Sequence, residues 1–406
     1  MKKLPRNVWA VTLTSFLTDI SSEMTVYLLP LFLANVLGVK TNVIGLIDGL
    51  AETTASLLKL FSGWLSDKLR SRKWLTVAGY SISTLAKPFL LIANSWGAVL
   101  TVRLADRVGK GIRNSPRDAL VADSVDESQR GLAFGLHRAG DTAGAAIGLF
   151  IALIVVAYTQ RGAIELAPQT FHILVVISII PAALGVLALI VGAKEVSLKP
   201  SGTLPKFSLA GFDSRFRFFL LVVFIFTLGN SSDVFLVLRA QERGLSVTTI
   251  MGMILSFNIL YAVVSGPAGR LSDRVGRNRL IIAGWIVYGL VYLGFALGGA
   301  AGEASRWTLF ALYTLYGAYY GLTEGVGKAL IADLVEQEQR GTAYGLYNTV
   351  VGVTTLPASF IAGVLWQGLG SFLGFGPSAP FLFGAMLAIT AAIMLGIGVR
   401  TADQPN

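Results

Sequence analysis

Residues 63–73 read GWLSDKLRSRK, and residues 269–279 read GRLSDRVGRNR. The two stretches share a glycine, a leucine, a serine and an aspartate at fixed spacing, each followed by basic residues. Two further matches run in the same order. ALVADSVDESQRGLAFGL from Ala119 returns as ALIADLVEQEQRGTAYGL from Ala329, and SSEM from Ser21 returns as SSDV from Ser231. Three collinear matches at offsets of 206 to 210 residues identify a tandem duplication.

Composition says which solvent the two copies meet. Of 406 residues, 54% are hydrophobic and only 14% are charged, against about 25% charged in soluble domains. Too few charges remain to cover a water-facing surface. About twelve apolar stretches approach the roughly 20 residues that a bilayer-spanning helix needs. They are expected near 8–36, 43–66, 74–94, 97–121, 131–158 and 171–193, then 216–238, 247–268, 279–299, 306–331, 341–368 and 380–399. The fold class is therefore an all-α membrane protein of twelve transmembrane helices in two parallel six-helix halves. The halves are expected at 1–193 and 216–406, joined by a polar linker over 194–215 that contains KEVSLKPSGTLPKFSLAGFDS.

The net charge of +10 is placed where topology needs it. Lys68, Arg70, Arg72 and Lys73 fall between two apolar runs, Arg274, Arg277 and Arg279 between two others, and Lys2, Lys3 and Arg6 precede the first. Short basic loops on alternate sides of successive spans mark the cytoplasmic face, so both termini and the linker are expected there, in a cytoplasmic (inner) membrane. This placement argues against a nucleic-acid partner. The opening MKKLPRN could begin a signal peptide, but the run that follows is interrupted by Asp19 and Glu23 and has no small-residue cleavage site. It reads as a retained first span. Cysteine is absent, which removes disulfide and thiol chemistry.

Two parallel halves of this kind imply alternating access about a site at mid-membrane. The repeated G-x-L-S-D-[KR] loops resemble the signature loop of the major facilitator superfamily. The copy from Gly269 to Arg279 fits throughout, while the first has Arg70 where a glycine is usual. The region from Arg103 to Asp123, followed by Arg130, is similar to the family's fourth-helix motif. The resemblance covers nearly the whole chain, is nearest to prokaryotic permeases of the drug-exporter type, and does not specify a substrate. It implies a gating role for the loops: Gly63, Asp67, Lys68 and Lys73 in the first copy, and Gly269, Asp273, Arg274 and Arg277 in the second. The glycines are expected to permit close helix approach. The aspartates are expected to meet a helix N-terminus or an arginine. Asp123 and Arg130, mirrored at Asp333 and Arg340, are expected in the same belt of ion pairs.

Ionisable residues inside the membrane are costly and point to function. Asp19 and Glu23 lie four apart in the first span, hence on one face. Asp48 and Glu52 repeat that spacing in the second, with Lys59 on the same stripe. In the fourth, positions 103, 106, 110, 113 and 117 step by three or four along one stripe. Asp19, Glu23, Asp48, Glu52, Arg103 and Asp106 are thus the candidates for proton coupling. Arg103 is expected to reach an acid of the first or second span, and Asp106 to bond Arg103 or Lys110. Arg113, Arg117 and Asp118 are expected at the interface as ion pairs, with Pro116 kinking or ending the helix.

His137 and Asp141 share a face at the start of the fifth span. That spacing suits a hydrogen-bonded histidine, a proton relay or one part of a metal site. Gly140, Gly144 and Gly148 form a small-residue packing ridge. Ala145 stands where exporter-type antiporters carry a proline. In the second half, Asp233, Tyr313, Tyr316, Tyr320 and Glu324 are candidates to line a substrate cavity, where aromatic faces and a carboxylate suit an organic cation.

The leading reading is a secondary active transporter for a small organic solute, coupled to protons and directed outward, working as a monomer in the lipid bilayer without a cofactor. Uptake or exchange of an anionic metabolite, using the cationic fourth span, is the alternative. Metal-ion transport through Asp19, Glu23 and Asp233 is another. From a different class, a lipid flippase or a non-transporting receptor fits the same spans. With two histidines, no H-E-x-x-H and no P-loop, the chain has no catalytic constellation and no ATP-driven motor.

Overall fold

The computed structural model describes residues 4–126, 129–196, 209, 211–298, 303–336 and 339–398. Among these there is no β-strand, only an isolated bridge between Leu369 and Phe372. The helices are α1 (Arg6–Glu23), α2 (Leu29–Leu31, continued by a π-helical turn, Phe32–Val36), α3 (Thr41–Leu69), α4 (Lys73–Ala86, continued by a 3-10 segment, Lys87–Leu91), α5 (Trp96–Asp123), α6 (Arg130–Gln160) and α7 (Pro168–Gly192). They continue with α8 (Ser214–Gly229), α9 (Val234–Glu242), α10 (Val247–Val275), α11 (Arg277–Leu297), α12 (Glu303–Leu334), α13 (Arg340–Gln367) and α14 (Ala379–Gly398). Most of the linker expected at 194–215, and the ends at 1–3 and 399–406, lie outside the described residues.

The apolar sequence makes these helices apolar on every side. In α7, Phe171, Leu174, Val175 and Leu189 are buried while Ile173, Ile180, Leu184 and Leu187 are exposed. A helix whose outer face is as greasy as its inner face is solvated by lipid, because the helix satisfies its own backbone hydrogen bonds. Among the described residues, seven helical stretches are long and apolar enough to cross a bilayer, including Arg130–Gln160, Pro168–Gly192 and Ala379–Gly398. The chain is a multi-pass membrane protein. The long helices α3, α5 and α12 fall outside that set; α5 carries the buried Arg103, Arg107 and Arg113.

The chain forms two compact units. Unit 1 holds residues 1–39 and 50–205, and unit 2 holds residues 40–49 and 206–406. The start of α3 thus groups with unit 2. In unit 1, α1 packs on α6 and α7, and α4 on α5 and α7. In unit 2, α8 packs on α13 and α14, and α11 on α12 and α14. These are the same pairings one copy later, as a duplication requires.

Glycine sets how closely the charged helices approach. A Cβ built at Gly148 would stand 2.5 Å from the Ile20 carbonyl oxygen, and one at Gly140 would stand 2.7 Å from Thr12 Cγ2. With Gly144 between them against Phe16, the expected ridge of α6 lies directly on the backbone of α1. On α5, Gly109 faces α4 at Ser83, and Gly111 faces α3 at Ala55 and Leu58. Two helices therefore close in on either side of Lys110. Gly63 and Gly269 behave differently from expectation. Gly269 has open space where a Cβ would stand, and Gly63 meets Ser115 only at ordinary contact distance. Neither makes the close helix approach.

Candidate functional site

Both copies interrupt their first span at a carboxylate. In unit 1, α1 ends at Glu23 and turns follow to Leu28. In unit 2, α8 ends at Gly229 and α9 begins at Val234, leaving Asn230–Asp233 between them. Glu23 and Asp233 hold the same place in SSEM and SSDV. Helix breaks at membrane depth are tolerated only where other groups satisfy the released backbone. In unit 2, Tyr288 donates its hydroxyl to the Gly229 carbonyl at 2.9 Å, and the Ser232 N–H donates to Ser359 Oγ at 3.3 Å.

In unit 1, Asp19, Glu23, Arg103 and Asp106 come together as expected, around a cavity of about 120 Å³. Lys87, Arg107, Lys110 and Arg113 share its wall. Glu52 is drawn in through Arg107, whose Nη1 lies 3.2 Å from Glu52 Oε1. The partner of Asp106 is also Arg107, at 3.6 Å, where the spacing pointed to Arg103 or Lys110. Adjacent residues met because a carboxylate and a long guanidinium can fold toward each other across one step of the helix.

Arg113 departs further from expectation. It is 7% exposed rather than at the interface. Its guanidinium stacks 4.3 Å from the Tyr80 ring centroid, and its Nη1 donates to Ser83 Oγ at 2.7 Å. Pro116 does not end the helix, since α5 runs unbroken to Asp123. Only Arg117 and Asp118 form the expected pair, at 2.8 Å. Lys87 and Arg107 were the residues the sequence reading missed as site members. Lys87 sits in a 3-10 turn after α4, where no periodic stripe points to it. Arg107, four residues after Arg103 and three before Lys110, lies on the same stripe and was passed over in favour of Asp106.

Asp48 does not join this cluster. It accepts a hydrogen bond from Ser232 Oγ at 2.5 Å within unit 2, so one turn of α3 divides Asp48 from Glu52. His137 is buried beside Asp141, 3.7 Å away, and neither ring nitrogen makes a hydrogen bond among the described residues. Among the described residues, no three His, Cys, Asp or Glu side chains form a metal-holding group. Asp19 and Glu23 belong to unit 1 and Asp233 to unit 2.

In unit 2, Tyr316 donates to Asp233 Oδ1 at 2.9 Å and Tyr320 to Oδ2 at 3.5 Å. Glu324 takes a separate place, hydrogen-bonded by Tyr261 and 3.4 Å from Lys328 Nζ. Tyr313 is wholly buried against Phe257 and Phe295 and belongs to the packing rather than to a cavity wall. Tyr288 and Tyr292 stack at 4.1 Å, and Phe226 stacks on Trp285 at 4.6 Å. The tyrosines thus form an aromatic core that presents hydroxyls to one carboxylate.

The basic loops form one matching ion pair in each unit. Arg72 Nε lies 3.3 Å from Asp123 Oδ2, and Arg277 Nε lies 2.7 Å from Asp333 Oδ2. Asp273 adds a contact to Arg277 at 3.7 Å. The side chain of Asp67 lies outside the described residues. Lys68 stacks over Trp64, and Lys73 donates to the Ile190 carbonyl at 2.8 Å. Arg274 is exposed and makes no ion pair among the described residues. Arg130 opens α6, and Arg340 donates to the Ala332 carbonyl at 3.3 Å near the end of α12. Glu195, from the linker, was not foreseen. It accepts the backbone N–H groups of Arg72 and Lys73 at 2.8 and 3.0 Å, supplying the carboxylate that a helix N-terminus favours.

The chain is similar to known proteins over nearly its whole length. The sequence model of the Major Facilitator Superfamily matches residues 11–240 and 218–406. An uncharacterised MFS-type transporter of Methanocaldococcus jannaschii is 39% identical over 405 residues, covering 97% of this chain and 95% of the relative. Multidrug resistance protein 2 of Bacillus subtilis is 29% identical over 151 residues, 37% of this chain and 34% of that protein. The crystal structure of a mutant of the nucleoside transporter NupG has the same fold, with a TM-score of 0.79 at 14% identity over 97% of this chain and 100% of that one. The chain belongs to the major facilitator superfamily, a family of membrane transporters and not of enzymes.

Proposed function

We propose that this protein is a secondary active transporter that moves a small organic solute across the cytoplasmic membrane by alternating access, with protons as the coupling ion. The observation that carries this reading is the pair Asp19 and Glu23. Both line the unit 1 cavity, and neither makes an ion pair within 4.0 Å among the described residues. A carboxylate inside a membrane protein without a close cation is stabilised by binding a proton or a cationic group. Cations stand across the same cavity, so any movement of α5 relative to α1 changes the affinity of these carboxylates for protons. That is the differential interaction that coupling requires. Twelve spans in two parallel halves, both termini on the cytoplasmic side, and a monomer with its whole pathway in one chain complete the proposal. Outward transport is the direction favoured by the partial likeness to a multidrug resistance protein.

The test is transport in liposomes containing the purified full-length protein. An imposed pH gradient should drive accumulation of a solute from a labelled panel. Asp19→Asn and Glu23→Gln should abolish gradient-driven accumulation while leaving solute exchange without a gradient. If both variants still concentrate solute against a pH gradient, the proton assignment fails.

A further inference from the structure

The unit 1 cavity has more positive charge than its own acids balance. Five cations and three carboxylates line it: Lys87, Arg103, Arg107, Lys110 and Arg113 against Asp19, Glu23 and Asp106. Arg107 is committed to Asp106 and, beyond the lining, to Glu52. Lys87, Lys110 and Arg113 are different, because none of them has a carboxylate within 4.0 Å among the described residues. Lys87 donates to the Ser21 hydroxyl. Arg113 is held by Ser83 and the Tyr80 ring, and its Nε has no hydrogen-bond partner among the described residues. Neutral contacts of this kind orient a cation without neutralising it. Buried cations are ordinarily paired, so this arrangement holds donors in place for an anion that arrives from outside.

The remaining wall narrows the chemistry. Ser22, Thr25 and Ser83 add hydroxyls to the lining, and Val26, Leu29, Leu90 and Val102 complete it with an apolar patch that offers no donors. A cavity of about 120 Å³ admits a small ion rather than a bulky one. An anion of that size with charge at one end and a short hydrocarbon body fits both parts of the wall. Phosphate would leave oxygens against the apolar side chains.

We infer that this cavity binds a small aliphatic carboxylate together with a proton, with Lys87, Lys110 and Arg113 taking the anion and Asp19 and Glu23 taking the proton. This inference rests on the transporter reading above, names its substrate class, and has proton and anion move in the same direction, in place of the outward direction proposed there. The two events assist each other for an electrostatic reason. Ionised Asp19 and Glu23 offset the three cations and compete with an incoming carboxylate. Once protonated, they leave the cations to the substrate. Asp19 is faced by Asp141 of α6 and by Lys110, Arg113 and Arg117 of α5. Glu23 is faced by Arg107 and Lys110 of α5, by Lys87, and by Asp19 on its own helix. His137 stands behind Asp141 at 3.7 Å. Cations dominate these surroundings, so protonating Asp19 or Glu23 raises the net positive charge that an anion meets. Anion affinity therefore rises as pH falls.

The experiment is calorimetric titration of the purified full-length protein with butyrate, inorganic phosphate and butylammonium, at about pH 5.5 and about pH 8. Butyrate should bind, and more tightly at the lower pH by a factor within the usual coupling range of about 5–150-fold. Phosphate and butylammonium should not bind. Arg113→Gln should abolish butyrate binding and Arg113→Lys should retain part of it, while Glu23→Gln should reduce its pH dependence. Lys110→Met is the second probe should Arg113→Gln fail to fold, and it should weaken butyrate binding. Binding of butylammonium instead of butyrate, preference for phosphate, tighter butyrate binding at high pH, or no binding by any of the three overturns the inference. The transport assay separates this from the broader reading. Proton-driven movement of neutral or cationic solutes without butyrate binding removes the substrate class and leaves the transporter. Butyrate binding without proton-driven transport does the reverse.

Discussion

Arg107 holds two carboxylates with one guanidinium: Nη1 lies 3.2 Å from Glu52 Oε1 on α3, and Nε lies 3.6 Å from Asp106 Oδ2 on α5. The arginine is 6% exposed. This contact ties α3 to the charged stripe of α5. Breaking a fully buried pair costs about 3–5 kcal/mol, but Glu52 is 37% exposed, so water compensates part of the charge left behind. Arg107→Met should therefore lower thermal stability in detergent by less than that range. The double change Arg107→Met with Glu52→Gln should cost less than the sum of its parts. Additive losses would show that the two side chains do not interact.

The α1–α6 contact gives a steric prediction. Gly148→Val should prevent α6 from seating on Ile20, with a loss of about 1–3 kcal/mol or more from overpacking. Gly135→Ala, on the same helix with nothing within 4 Å of the new Cβ, should be near neutral or slightly stabilising. Thermal unfolding of the two variants side by side checks the ridge, and equal behaviour would refute it.

Arg70 and Gly276 occupy equivalent turns after α3 and α10. Both have positive φ, 52° and 95°. A side chain in the left-handed region costs roughly 1–2 kcal/mol, so Arg70→Gly should be neutral to stabilising by up to about 1 kcal/mol after the entropy of the unfolded glycine is counted. Gly276→Ala should destabilise by about 1 kcal/mol or more. The opposite signs are measurable as opposite shifts in the unfolding midpoint.

Asp233 accepts hydroxyl donors from Tyr316 and Tyr320. Removing the shorter bond with Tyr316→Phe should cost about 1.5–3 kcal/mol, the range for hydrogen bonds to charged groups. Tyr320→Phe, whose bond is 3.5 Å long, should cost less. A reversed order in denaturation experiments would contradict the geometry.

The loop pairs Arg72–Asp123 and Arg277–Asp333 predict a charge-swap result. Arg72→Glu and Asp123→Arg should each reduce transport, and the double swap should restore part of it. Partly exposed pairs contribute only about 0–1 kcal/mol to stability. The readout is therefore transport rate, with unfolding temperature expected to stay nearly constant.

Much of this molecule is legible because some signals are local. Spacing of four puts Asp19 and Glu23 on one face of α1, and they do line one cavity. The ridge Gly140, Gly144 and Gly148 packs as its spacing implies. The repeated loops yield one equivalent ion pair in each unit, although the cation in the first is Arg72, one position beyond the residue that aligns with Arg277. The errors also share a cause. Asp48 and Glu52 have identical spacing to Asp19 and Glu23, yet they belong to different units, because helical periodicity records a face and not the neighbour it meets. Arg113 looked like an interfacial residue until Tyr80 and Ser83 of α4 were found around it.

The sequence by itself determined the solvent, the duplication and the family: apolar composition, collinear repeats and loop motifs are properties of the chain that no packing can alter. Only the tertiary structure decided which charges face each other. A buried cation takes whichever acceptor, ring or cavity the neighbouring helices bring within a few ångströms. Lys87 came from a 3-10 turn, and Arg107 lies on the periodic stripe, which does not say which acid it meets. Their place beside Asp19, Glu23 and Lys110 exists only once α1, α4 and α5 have packed.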